Sequence, residues 1–335
     1  MNLLNSRVAV TGADGFIGSH LVEALHAAGA RVSALSLYNA FDTHGWLDDL
    51  PAEARAAISL VRGDVRDASF VRRFVEGADV VFHLAALGAI PYSYEAPASY
   101  VDVNVNGTLN VLEAARSHAV GRVVHTSTSE VYGTALTTPM DESHPLQGQS
   151  PYSATKIGAD MMAEAFARSF GLPVVILRPF NTYGPRQSER AVIASTIRQA
   201  LDPACDAIRV GDLSTERDFT FVLDTVDAFL RAGSAEGLEL GRAYNGGTGR
   251  AATIGATVEA IRAITGCGKP VVQSADRLRP GASEVRALLA DNRRFADATG
   301  WTPRVSLEDG LAATVAWWRA RLQRGLPRTD ARFLS

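Results

Sequence analysis

The sequence predicts an α/β protein: a doubly wound parallel sheet followed by a smaller α+β C-terminal substrate domain. Three observations predict it. Short β-rich runs alternate with longer helical stretches through the first half of the chain. Those runs are continuously apolar, as in strands covered on both faces, where a half-exposed strand would alternate. After Pro179 the alternation gives way to shorter segments broken by Gly and Pro. The 335 residues suffice for about two domains. They are read as 1–178, with a return segment near 220–250, and mainly 179–325, with 326–335 a tail.

Each element has its own warrant. Arg7 to Thr11 reads as a buried strand, and Ser19 to Ala28 as a helix closed by Gly29. Arg31 to Leu37, Ile58 to Arg62 and Asp79 to Ala85 are β-branched runs bounded by turn residues, with Val71 to Glu76 helical between the last two. A long helix is expected over Val103 to Ser117, a strand over Arg122 to Ser127, a helix over Tyr152 to Phe170 and a strand over Val174 to Arg178. Beyond the turn cluster at 181–185, a strand is expected near Ile208 to Val210. Helices are expected near Thr225 to Ala232, Thr257 to Thr265 and Leu307 to Ala320.

Composition narrows the function. Lys+Arg 33 against Asp+Glu 36 leaves a net charge of −3, so bulk attraction to nucleic acid or an anionic membrane is not expected. Cys205 and Cys267 are far apart and form no CxxC pair, which argues against a disulfide scaffold or metal cluster and suits a reducing cytoplasm. No apolar run approaches the roughly 20 residues of a membrane helix, and a strand begins almost at once, leaving no room for a signal peptide.

Between the first strand and first helix stands Thr11-Gly12-Ala13-Asp14-Gly15-Phe16-Ile17-Gly18. Glycine permits the tight turn and the close approach of a pyrophosphate, whose charge meets free N–H groups at the helix start. The bland alternative is a turn that needs glycine for packing alone. Tyr152 and Lys156, four residues apart, share one helix face, where a cation favours phenolate over phenol. An exposed Tyr/Lys pair on a solvated helix is the competing reading. Asp64 is open to reading as a helix N-cap, and Glu130 as a structural carboxylate capping the next turn.

The G-x-x-G-x-x-G spacing resembles the extended short-chain dehydrogenase/reductase superfamily, with its Rossmann-type sheet. The resemblance implies cofactor contacts from Gly12, Gly15, Phe16, Ile17 and Gly18, and an adenine contact from Gly63-Asp64-Val65. It implies a floor under the cofactor from His83-Leu84-Ala85-Ala86, and a packing helix from Asn104 to Thr108. The acid usual at the end of the second strand is missing: the run is Leu35-Ser36-Leu37-Tyr38-Asn39. No adjacent Arg is there to clasp a 2′-phosphate either, and the reading is NAD, with Asn39 as a cofactor contact and NADP left open. Ser127-Thr128-Ser129 with Tyr152 and Lys156 looks like a hydride-transfer site, and Glu130 like the base of the nucleotide-sugar 4,6-dehydratases. Ser129 stands where the dTDP-glucose enzymes carry Asp.

The same resemblance implies a nucleotide-diphosphate sugar held by Ser93, Asn181 and Arg190, with Arg217 in Arg217-Asp218-Phe219 and Arg279 in Arg279-Pro280-Gly281. Likeness over residues 7–318 is strongest to the dehydratase of the legionaminic-acid pathway, which implies UDP- or GDP-N-acetylglucosamine as substrate. It also implies a homodimer through the helices near 103–117 and 152–170. A UDP-glucuronate decarboxylase, a 4-epimerase and a non-catalytic dinucleotide sensor are the rival readings. The segment Gln147-Gly148-Gln149-Ser150-Pro151 lacks the cation a decarboxylase usually carries there. A 4-epimerase gives Glu130 no role, and a sensor typically loses the Tyr/Lys pair.

Overall fold

A computed structural model of the chain describes residues 2–278 and 280–325. Strands β1 (Arg7–Thr11), β2 (Arg31–Leu37), β3 (Ser59–Gly63), β4 (Val80–His83), β5 (Arg122–Thr126) and β6 (Val174–Pro179) form six of the seven strands of a sheet. After β7 (Asn181–Tyr183), β8 (Ile208–Val210) and β9 (Glu216–Phe221), the chain returns to supply the seventh, β10 (Ala243–Gly246). The order is β10-β6-β5-β4-β1-β2-β3, and every pairing is parallel. Order reverses between β1 and β4, which opens a crevice at the carboxyl ends of the strands, where an open α/β sheet takes ligands.

Alternation along the strands feeds both faces. Val8 and Val10 pack with helices Phe16–Ala27 and Val222–Ser234 on one side. Ala9, Val81 and Val123 pack with Gly107–Ser117 and Pro151–Phe170 on the other. Double coverage is the reason the strands read as unbroken apolar runs. The remaining strands, β11 (Ala251–Thr253), β12 (Val271–Gln273) and β13 (Ala287–Leu288), complete a sheet of β11, β9, β13 and β7, and a β8–β12 pair. These roof the crevice.

The expected elements recur with small shifts at their ends. Helix Phe16–Ala27 starts three residues before Ser19, because Gly15 ends the turn and the apolar Phe16 and Ile17 already sit on the first helical turn. β4 stops at His83, where the N–H groups of Leu84 and Ala85 turn to Thr11 Oγ1 (3.2 Å each). The long helix expected from Val103 opens instead as a wide π turn, Val101–Asn106. Helix Val192–Leu201 was not expected at all. Its apolar Ile193, Ala194, Ile197 and Ala200 do recur at helical spacing, with Ser195, Thr196, Arg198 and Gln199 buried beside them. Among the described residues no helix is long and apolar enough to cross a membrane.

Candidate active site

The crevice encloses a cavity of about 770 Å³ between the glycine loop, the ends of β4 to β6 and the β9 sheet. Its wall at the start of the first helix is made by backbone. Gly12 has φ +66°, and a Cβ there would stand 2.6 Å from Ala85 N. A Cβ on Gly18 would stand 2.1 Å from Gly12 O, so the loop and helix close on each other only through glycine. The first helical hydrogen bond is Ser19 N–H to Gly15 O (3.0 Å), which leaves the amides of Phe16, Ile17 and Gly18 ahead of it on the cavity wall. No acidic side chain occupies that first turn. The cradle suits a pyrophosphate.

Other residues of the expected cofactor set are placed differently. Leu84 and Ala86 line the cavity. Ala85 faces Gly12, while Val65 is buried against Gly107. Asn104 lies behind the wall. Its amide accepts from Leu87 N (2.9 Å) and donates to Leu87 O (3.1 Å) and Thr155 Oγ1 (3.0 Å), bracing the 84–90 loop from within. Asn39 spends its side chain on its own loop, at Leu37, Phe41 and Thr43. Asp64 is no N-cap: it folds back on Arg66, whose guanidinium holds the carboxyl below its ordinary range, and Asp67 caps the following helix.

The reactive end gathers on two elements. After β5 the chain makes a single 3₁₀ turn, Ser129–Tyr132, capped by Thr128, whose Oγ1 accepts from Glu130 N–H (3.2 Å). Helix Pro151–Phe170 begins with a Ser150/Ser153 capping box that fixes its first turn against the cavity. Thr128, Ser129, Glu130, Tyr152 and Lys156 all line the same cavity. Tyr152 hydrogen-bonds Thr128, and the negative charge of Glu130 acts on the phenol.

The protein's own groups work against the expected phenolate. Burial dominates at Tyr152 and, with the charge of Glu130, pushes the phenol well above its ordinary range, despite the Thr128 hydrogen bond. Lys156 is buried, and its ammonium donates to Thr126 O (2.5 Å). Burial pushes that lysine down to about 8, and Asp160 works against the shift. The pair therefore carries a desolvation cost on both members.

Behind them lies a buried charge cluster. Asp160, one turn after Lys156, accepts from Ser127 Oγ (2.7 Å) and from Arg178 Nη2 (3.0 Å). Arg178 also donates to Tyr132 OH (2.9 Å), tying the 3₁₀ turn of Glu130 to the reactive helix.

On the substrate side, Asn181 lines the cavity with a buried Oδ1 that has no partner among the described residues. Arg190 lies exposed on the rim. Arg217 points inward from β9 and Nη2 donates to Glu284 Oε1 (3.2 Å), while its neighbour Asp218 points away and ties the 248–249 loop together. Ser93 is buried, its hydroxyl donated to Ile90 O (2.7 Å), and Tyr92 lines the cavity beside it. Arg279 falls outside the described residues. Sequence reasoning missed Gln187, whose buried Oε1 is likewise unpartnered, and Arg277, held by Ser195 Oγ (2.9 Å). Gln187 lies three residues before Arg190, and Arg277 two residues before the expected arginine; neither stands in a motif of its own.

A glycine-loop dinucleotide cleft opening onto a Tyr–Lys helix defines an extended short-chain dehydrogenase/reductase. Comparison with known proteins narrows this. The family described as GDP-mannose 4,6 dehydratase matches residues 9–314. A dTDP-glucose 4,6-dehydratase of Actinoplanes sp. is 35% identical over 322 residues, covering 94% of this chain and 98% of that protein. A UDP-glucose 4-epimerase of Mycolicibacterium smegmatis is 36% identical over 323 residues, covering 95% and 100%. The crystal structure of the dTDP-glucose 4,6-dehydratase DesIV from Streptomyces venezuelae with NAD bound superimposes with a TM-score of 0.84 at 31% identity, covering 96% of this chain and 100% of that one. The chain belongs to the GDP-mannose 4,6 dehydratase family, among the NAD-dependent enzymes that remodel nucleotide sugars.

Proposed function

We propose that this chain is a nucleotide-sugar 4,6-dehydratase that converts an NDP-hexose, with UDP- or GDP-N-acetylglucosamine as the expected substrate, to the 4-keto-6-deoxy sugar. The observation that carries the reading is Glu130, a carboxylate on the same cavity wall as Thr128 and Tyr152. An epimerase has no use for a base at that place, whereas an elimination requires one.

In this reading Thr128 orients the C4 hydroxyl of the sugar, and Tyr152, which the positive charge of a bound nicotinamide would join Lys156 in holding as phenolate, takes its proton. NAD, when bound, supplies the chemistry of removing the C4 hydride and giving it back at C6. The C4 ketone acidifies C5–H, and Glu130 removes that proton. Glu130 then hands it to the C6 hydroxyl, which departs as water, and Ser129 lies beside it to hydrogen-bond the leaving oxygen. Tyr152 returns its proton to C5. Atoms and charges balance: one water leaves and the cofactor ends as it began. Phe16, Ile17, Gly18 and Gly15 would hold the cofactor pyrophosphate. Asn181, Arg217, Arg190 and Arg279 would hold the substrate diphosphate through charge-assisted hydrogen bonds, which lets a chain of net charge −3 bind a dianion. Half-exposed Met161 and Phe170 on helix Pro151–Phe170 suit the homodimer face.

The test is incubation with UDP- and GDP-N-acetylglucosamine without added reductant, read by mass spectrometry. A product lighter by one water supports the reading. An isobaric C4 epimer, or carbon dioxide released from UDP-glucuronate, moves the chain to a rival chemistry.

A further inference from the structure

We propose that Asp14, within the glycine loop, supplies the carboxylate that receives the adenosine ribose 2′-hydroxyl and thereby selects NAD over NADP; this rests on the dinucleotide reading above. The groove between the glycine loop and the end of β2 normally receives that ribose, with an acid from β2 as its partner. Here β2 offers none. Ser36 is fully buried, its hydroxyl paired with His44 Nδ1 (2.8 Å). Leu37 and Tyr38 are apolar or exposed, and the amide of Asn39 is spent on its own loop.

Asp14 brings a carboxylate to the same edge from the opposite side. Its Oδ2 accepts from Leu37 N–H (3.2 Å), which seats the group at the last residue of β2. Its backbone is held from both sides: Ala13 N–H donates to Leu35 O (3.0 Å) and Trp46 N–H to Asp14 O (3.1 Å). Gly45 packs so closely that a Cβ there would stand 2.7 Å from Asp14 O. The side chain is thus preorganised on the rim of the pyrophosphate cradle, and among the described residues no Arg or Lys pairs with it.

The surrounding charge points the same way. Arg62 is the cation best placed to clasp a 2′-phosphate, since it lies in register beside Ser36. It is already paired with Asp42 at 2.6 Å. Asp48 accepts from His44 N–H (2.8 Å) and is paired with Arg55 at 3.9 Å, so neither that carboxylate nor Arg55 stands ready for a phosphate. A ribose hydroxyl donates well to the Asp14 carboxylate, whereas a phosphate would meet an anion fixed against it.

The experiment is isothermal titration of the parent, Asp14→Asn and Asp14→Ser with NAD and with NADP, beside thermal melts. Both substitutions keep an acceptor for Leu37 N–H, so the loop should hold. The parent is expected to prefer NAD. The variants should lose about tenfold in NAD affinity with NADP affinity held or raised, at an unchanged melting temperature. Parallel loss of both affinities, or NAD affinity left intact, overturns the role of Asp14 while leaving the dinucleotide site standing. Failure of the parent to bind either nucleotide overturns the dinucleotide reading itself, and this inference with it.

Discussion

Replacing Lys156 by methionine should make the protein more stable at neutral pH while ending turnover. The ammonium is 4% exposed, and burial pushes its titration from 10.5 down to about 8. A shift of that size is a penalty of about 3 kcal/mol carried by the folded state wherever both states hold the proton. The sign follows from proton counting. Below about pH 8 folded and unfolded chains are both charged at Lys156, and the penalty is full. Between about 8 and 10.5 the unfolded chain still binds the proton and the folded chain has released it, so stability from this group rises with pH.

Methionine has similar length and no charge to desolvate. It gives up the hydrogen bond to Thr126 O, about 1 kcal/mol, while Asp160 keeps Arg178. The net expectation is a gain of about 2 kcal/mol at pH 7 that has vanished by about pH 9.5. Urea denaturation of parent and variant at both pH values measures it. A variant less stable than its parent at pH 7, or a difference that does not move with pH, would refute the reasoning.

Three further expectations concern separate parts of the cleft. Tyr152→Phe should abolish sugar oxidation and water loss together, because both follow removal of the C4 hydroxyl proton; melting temperature and turnover check this. Gly18→Ala forces a Cβ to 2.1 Å from Gly12 O and should cost about 1–3 kcal/mol together with dinucleotide binding, read by melting and titration. Arg217→Ala removes a buried guanidinium paired with Glu284 and should raise KM at least about tenfold with kcat nearly kept, as for a contact made equally in ground and transition states.

The sequence made the sheet legible because strands buried on both faces are written as short apolar runs: β1 and β2 have the expected ends. Helix Val192–Leu201 was missed although Ile193, Ala194, Ile197 and Ala200 keep a helical period, so the signal was present in the sequence and not read. The glycine loop and the Tyr/Lys helix were legible as motifs, since each sets its chemistry within a few consecutive residues. What could not be read was which side chains are already spent. Asn104 and Asn39 carry hydrogen-bonding groups of the right kind, and the fold uses them internally. Conversely, Arg277 is held in the cleft by Ser195, a contact made across the chain, and Gln187 is tied to Thr182 O with its Oε1 left over; local motif spacing encodes neither. The titration of Tyr152 was illegible for a related reason: burial is a tertiary quantity, and in the protein alone it outweighs the hydrogen bond to Thr128.

The central claim is that Glu130 expels water from a transiently oxidised sugar. Its most direct measurement follows a deuterium placed at C4 of the NDP-N-acetylglucosamine substrate, in the parent and in Glu130→Gln. The parent should deliver the label to C6 of a 4-keto-6-deoxy product, and the variant should strip it from C4 without releasing water. Label returned to C4 of an epimerised sugar by the parent, or a variant that still delivers it to C6 at the parent's rate, would contradict the account.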